Sequence, residues 1–242
     1  MSAALDFVVS WVMPQRTKTT APSRADLMGC PVVLFDCDGV ILDSNDVKTD
    51  GFRQAVDTFD TPVVDGFLEF HRQNGGLSRY VKFEHFFRDL VGLSDYQAEM
   101  KEALERFAHT TKNALLDCPL IPGVTDLLKQ LNAADVPCFV VSGSDQHELR
   151  DVLHERRLDR HFRDILGSPA TKLANVKAVL DGLAGMPISG AVMFGDAIVD
   201  METAEQCSLT PVFVSSRSQW ADGPALCQKR GWAQIADFES LP

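Results

Sequence analysis

Residues 32–44 read Val-Val-Leu-Phe-Asp-Cys-Asp-Gly-Val-Ile-Leu-Asp-Ser. Val32–Phe35 is an unbroken apolar run, the pattern of a strand buried on both faces of a parallel sheet. It runs directly into Asp36. In an extended chain alternate residues point the same way, so Asp36 and Asp38 fall on one side. Two carboxylates that close are costly unless a cation neutralises them. Gly39 then permits a turn that would strain another residue.

The same grammar repeats downstream. Cys138–Val141, Ile165–Leu166, Ala191–Phe194 and Val212–Val214 are short apolar runs, each ending in a polar or glycine residue. Between them apolar residues recur at helical spacing: Val124, Leu127, Leu128 and Leu131; Leu149, Val152 and Leu153; Leu173, Val176, Val179 and Leu180. Strands alternating with helices predict an α/β fold, a doubly wound, Rossmann-like parallel sheet. One segment breaks the alternation. From Ser44 to Cys118 only helical periodicity is present, carried by Phe52, Val56 and Phe59, by Val64, Phe67 and Leu68, and by Tyr80, Phe83, Phe86 and Phe87, then Met100, Leu104 and Phe107. The expected organisation is a flexible tail over residues 1–28, an α/β core made of 29–44 and 118–242, and an all-helical domain over 45–117 inserted between them. Pro119–Gly123 serves as the return linker. At about 150 residues per domain, the 242 residues amount to roughly 1.6 domains, in keeping with a core carrying a small insertion.

Polar residues collect where the expected strands end. Ser142-Gly143-Ser144 follows the second, just before a helix, and free N–H groups at a helix start with a hydroxyl beside them suit an anion. The third is followed by Gly167–Lys172, which puts Lys172 at the opening of a helix. The fourth ends in Gly195-Asp196, with Asp200 one helical turn on. Ligands of open α/β sheets bind at the carboxyl ends of strands. Carboxylates there suit Mg²⁺, which takes few protein ligands and completes its shell with water and phosphate. A carboxylate can also act as nucleophile and form an aspartyl-phosphate. Each piece has an ordinary reading too: Asp-x-Asp-Gly as a turn, Ser142 as a helix cap, Lys172 as a solvated side chain. Their joint occurrence, in order and each behind a buried strand, points to phosphoryl transfer.

Composition narrows the classes. With 34 acidic and 23 basic residues the formal charge is −11, which disfavours nucleic acid or an anionic membrane as partner. No apolar run is long enough to span a bilayer. Six scattered cysteines without a CxxC pair read as free thiols in a reducing, cytoplasmic setting. His147, His154 and His161 are spaced seven apart, two helical turns, too far to share a metal.

On these motifs the chain resembles the haloacid dehalogenase superfamily, in the branch with a helical cap after the first strand that includes phosphatases and phosphosugar mutases. The resemblance runs from Val32 to the C-terminus. It implies Asp36 as nucleophile and Asp38 as general acid/base. It implies Mg²⁺ held by Asp36, the main-chain carbonyl of Asp38 and Asp196, with Asp200 as an alternate or supporting ligand. Ser142 and Gly143 would bind the phosphoryl oxygens and Lys172 would offset their charge. Many members carry that lysine directly before the loop proline; here Ser168 precedes Pro169, which leaves Lys172 as first choice and Lys177 as a poor second. Gly76-Leu77-Ser78-Arg79 resembles the cap loop of the sugar-phosphate branch, so Arg79 would meet the distal part of the substrate, or else pair with an acidic side chain; Lys82 and His71 are weaker candidates. The expected function is Mg²⁺-dependent hydrolysis of a small phosphorylated metabolite, a sugar phosphate or phosphorylated organic acid, by a monomer or homodimer. A mutase of the β-phosphoglucomutase type is the alternative, and a non-catalytic binding protein the remote one.

Overall fold

Six parallel strands form one sheet in the order β3-β2-β1-β4-β5-β6. They are β1 (Val33–Phe35), β2 (Cys138–Asp145), β3 (Asp164–Ser168), β4 (Val192–Gly195), β5 (Thr210–Val214) and β6 (Ala233–Ile235). The computed structural model describes residues 20–242 except 184 and 186. Five strands fall on the apolar runs named above. The sixth, Ala-Gln-Ile, is three residues long with Gln234 turned to solvent, and carries too little pattern to be read in advance.

β1 shows why such runs become central strands. Val33 and Phe35 face one core layer, with α6 (Val124–Ala133) and α7 (Gln146–Glu155). Val32 and Leu34 face the other, with α8 (Lys172–Gly182) and α9 (Ile198–Gln206). Every side chain of the strand is buried, so a polar residue inside it would lose its hydration. Strand order reverses between β1 and β4, which pair Phe35 with Phe194. The crevice beyond the carboxyl ends at such a switch point is where doubly wound sheets bind ligands. Asp36 and Asp196 sit there, each one residue past its strand.

Between residues 45 and 117 the described elements are helices: α2 (Asn45–Ala55), α3 (Thr61–Gln73), α4 (Arg79–His85), a π-helical turn over Phe86–Leu90, and α5 (Gln97–Asp117). They enclose a separate apolar cluster built on Phe52, Phe67, Phe83, Phe86, Phe87 and Phe107. Phe52 lies 4.4 Å from the Phe107 ring centroid and 5.5 Å from that of Phe67. These phenylalanines supply the apolar burial that holds a small helical layer together.

Residues 1–19 of the expected tail lie outside the described residues. Its end differs from expectation. Arg24–Met28 form a short helix, α1, capped by the Ser23 side chain, with Leu27 fully buried in the core and Arg24 Nη1 donating to Gln130. One buried leucine in an otherwise polar stretch leaves no periodicity to read.

Candidate active site

The crevice is a cavity of about 60 Å³ between the strand ends and the helical insertion. Asp36, Asp38, Ser142, Gly143 and Asp196 line it from the sheet side. Lys172 lies beneath, its Nζ 3.0 Å from Asp36 Oδ2 and hydrogen-bonded to Asp200 Oδ1. The Thr171 side chain caps the helix that presents it, accepting from the Ala174 N–H. Lys177, a turn further on, is exposed.

Asp36 is buried at 2 % exposure, and its Oδ1 accepts the Cys37 N–H at 2.7 Å. Asp196 is nearly as buried, its Oδ2 accepting from Asn45 Nδ2 at 2.6 Å. Oxygens of Asp36, Asp196 and Asp200 lie within 4.8 Å of one another. One lysine does not balance three such carboxylates. Burial pushes the Asp36 pKa up to about 7 against the pull of Lys172, and Asp200 and Asp38 push the same way. Burial, with Asp36 and Asp200 beside it, raises that of Asp196 well above the carboxylate range. Lys172 is held protonated: burial lowers its pKa, but Asp200 and Asp36 outweigh burial. A buried oxygen cluster with surplus negative charge fits a small hard cation. Asp200 has both oxygens engaged, Oδ1 by Lys172 and Oδ2 by the Ala197 N–H. In this arrangement it positions the lysine and the turn after β4.

Asp38 stands apart from that cluster. Its Oδ1 accepts from Ser44 Oγ at 2.5 Å and its Oδ2 from Ser144 Oγ at 2.8 Å, with Lys48 Nζ 3.3 Å away. Burial works to raise its pKa, but Lys48 and the two serines outweigh burial and hold it below the ordinary value. Gly39 is obligatory: φ is +74°, and an added Cβ would stand 2.2 Å from Asp196 Oδ2. Gly143 serves a second approach. A Cβ there would meet the Gly76 carbonyl oxygen at 2.2 Å, so the loop of the insertion rests directly on the end of β2.

Ser142 is buried and its Oγ accepts the Ser144 N–H. Arg79 reaches the cavity wall but is already bound. Its Nη1 and Nη2 donate to Glu148 Oε1 at 2.8 Å and Oε2 at 2.6 Å, and its guanidinium lies over Phe107. Glu148 belongs to α7 of the core, and next to it Tyr80 donates to Asp145. The arginine therefore ties the insertion to the core. Arg79→Ala is expected to cost about 1–3 kcal/mol, as a charge-assisted bidentate pair does. That lowers Tm by roughly 2–10 °C in a chain of this size, and any loss of activity would fall on all substrates alike. An unchanged Tm with loss confined to one substrate would show that Arg79 binds substrate instead.

Several wall residues carried no sequence motif. Asn45, Lys48 and Phe52 share the inner face of α2. Gln219 and Trp220 arrive from the loop after β5. His71 and Lys82, weak candidates by sequence, both line the cavity and are nearly fully buried. No helix among the described residues is long and apolar enough to cross a membrane.

Known proteins resemble this chain in sequence and in fold. A phosphoglycolate phosphatase of Pseudomonas aeruginosa is 26% identical over 186 residues, 72% of this chain, and the chain spans only 65% of that protein's length. A phosphorylated carbohydrates phosphatase of Thermotoga maritima is 22% identical over 86% of this chain and 95% of its own. Among solved structures, a β-phosphoglucomutase from Clostridium difficile shares the fold with a TM-score of 0.67 at 15% identity, covering 88% of this chain and 93% of that one. The family model for haloacid dehalogenase-like hydrolases matches residues 33–214, from the first residue of β1 to the last of β5, and the protein belongs to that family.

Proposed function

We propose that the protein is a phosphatase that hydrolyses the phosphate monoester of a small metabolite by way of an aspartyl-phosphate on Asp36. The observation that carries this reading is the convergence of Asp36, Asp196, Lys172 and Ser142 at the strand-order reversal, with Asp38 beside them.

Asp36 attacks phosphorus through one carboxylate oxygen as the bond to the leaving oxygen breaks. The Lys172 ammonium pulls that carboxylate toward its ionised form against burial and offsets charge on the phosphoryl group, and Ser142 with the Gly143 N–H donates to its oxygens. Asp38 delivers a proton to the leaving oxygen. It then accepts one from the water that attacks the same phosphorus, releasing phosphate and regenerating Asp36. With Lys48, Ser44 and Ser144 around it, Asp38 in the free protein is ionised, ready for the second half. Its proton for the first half is favoured once a dianionic phosphate has entered. Asp36, the main-chain carbonyl of Asp38 and Asp196 would hold Mg²⁺, which when bound supplies positive charge to the transferring oxygens. The helices over 45–117 act as a cap, the loop at Gly76 closing the site from water.

Hydrolysis is preferred to a mutase reaction because Arg79, the cap arginine that would meet the distal part of the substrate, is spent on Glu148. The test is a phosphate-release screen over a metabolite panel, with Mg²⁺ and again with a chelator. Release from at least one ester is expected, falling at least about 100-fold without the metal. No release from any ester, or release indifferent to chelation, would refute it.

A further inference from the structure

Most buried cations around the cavity are already matched to carboxylates. Lys172 has Asp36 and Asp200, Lys48 has Asp38, and Arg79 has Glu148. Lys82 has none among the described residues. It is 3 % exposed, lines the cavity from the inner face of α4, and its Nζ lies 5.4 Å from the Phe52 ring centroid. Its one hydrogen-bond partner among the described residues is His71 Nδ1, at 2.8 Å.

That partner is neutral. Burial and the neighbouring Lys82 depress the His71 pKa to about 2, so Nδ1 accepts from the ammonium and Nε2 carries the proton. Nε2 meets Thr49 Oγ1 at 3.1 Å, and Thr49 in turn donates to the Asn45 carbonyl at 3.0 Å. A chain of hydrogen bonds therefore aims the lysine while using one of its three N–H donors. A buried ammonium facing a neutral ring and an aromatic wall is costly to the free protein: burial, with Lys48 nearby, lowers the Lys82 pKa to about 7, and an arriving anion favours the protonated form. Such a cost persists where an arriving anion removes it.

We propose that Lys82, oriented by His71, is a carboxylate subsite, and that the natural substrate is a short phosphomonoester whose leaving group carries a carboxylate. The assignment rests on the phosphatase reading above. Cavity size supports it: about 60 Å³ has room for roughly four waters, enough for a phosphoryl group and a short tail. Charge supports it as well. The phosphoryl group answers Lys172 and the metal end, and a second negative group at the far end gives Lys82 the counter-ion it lacks. A neutral sugar would offer Lys82 no opposite charge.

The experiment compares two matched pairs, phosphoglycolate with 2-hydroxyethyl phosphate and 3-phosphoglycerate with glycerol 3-phosphate, with p-nitrophenyl phosphate as a general phosphatase probe. The wild type is expected to prefer the acid of at least one pair. In Lys82→Met the ratio of kcat/KM for acid over alcohol falls on the order of 30-fold, the weight of one charge-assisted hydrogen bond. Methionine fills the space and removes the buried charge but leaves His71 Nδ1 without its donor; the two effects oppose each other, so Tm changes little. A drop in Tm with the ratio unchanged would make Lys82 structural and overturn the proposal. So would a wild type that cleaves p-nitrophenyl phosphate yet favours neither acid, an outcome that leaves the phosphatase reading standing. If p-nitrophenyl phosphate and every other ester are inert, both fall. Should Lys82→Met not fold, Lys82→Gln is read by the same ratio.

Discussion

Asp36→Asn lowers Mg²⁺-dependent phosphate release from an aryl phosphate by about 10⁴-fold or more, the scale on which removing a nucleophile acts. The amide matches the carboxylate in size and can still accept the Cys37 N–H, so the fold at the end of β1 is preserved. What disappears is the anionic oxygen facing Lys172. The free-state stability moves the other way. Asp36 is a carboxyl whose pKa rises on folding, from 3.8 to about 7. The folded state therefore binds more protons than the unfolded one between those values, and its stability falls as pH rises through that window. The Asp36→Asn substitution removes this dependence, so the metal-free variant is expected to match or exceed the wild type in Tm near neutral pH. Two measurements check it: single-turnover phosphate release, and melting curves without metal at pH 5 and pH 7.5. Residual turnover within a factor of ten of the wild type would dismiss Asp36 as nucleophile.

Lys172→Met is the harsher change. Among the described residues its ammonium is the one cation bonded to both Asp36 and Asp200, with a side chain only 2 % exposed. Removing one partner from a buried ion network leaves uncompensated charge, at a cost of about 3–5 kcal/mol. Activity is expected to fall about 10²–10³-fold, as for loss of a preorganised charge at a developing oxyanion. The stability loss should itself depend on pH. Without the ammonium the carboxyl pKa values rise further, so the folded state holds extra protons at low pH and must ionise against burial at high pH. The Tm difference from wild type is thus small near pH 5 and large near pH 8. A difference equal at both would mean that the network carries little charge. Added Mg²⁺ recovers part of the loss at pH 8, where the carboxylates are free to bind it.

Both arguments turn on residues that the sequence singles out by position. Asp36, Ser142 and Asp196 each lie at or just past the end of an apolar run, and buried parallel strands concentrate function at such ends. Lys172 is legible as a helix opener on the same side of the sheet. Arg79 is legible as a member of the loop at Gly76, but the identity of its partner is not. Glu148 sits on a core helix 69 residues away, and only packing of α4 against α7 brings the pair together. Lys82 and His71 are harder still. His71 on α3 and Lys82 on α4 occupy inward positions beside apolar residues, where the pattern predicts only core; they meet directly when the two helices pack, and Thr49 of α2 holds the other side of the ring.

By itself the amino-acid sequence determines five of the six strands, the helices over 45–117, and the row of carboxylates, serine and lysine at the strand ends. These follow from periodicity and from the cost of burying polar groups inside a strand, which are local and therefore written in order along the chain. The tertiary structure alone decides how charges are matched: Lys172 shared by Asp36 and Asp200, Lys48 turned to Asp38, Arg79 spent on Glu148, Lys82 left with a neutral histidine. Pairing depends on distances of a few ångströms between residues remote in sequence, because Coulomb and hydrogen-bond energies in a buried site fall off over that range. That matching gives an acidic chain a pocket whose one unmatched buried ammonium, among the described residues, is left to meet an anion.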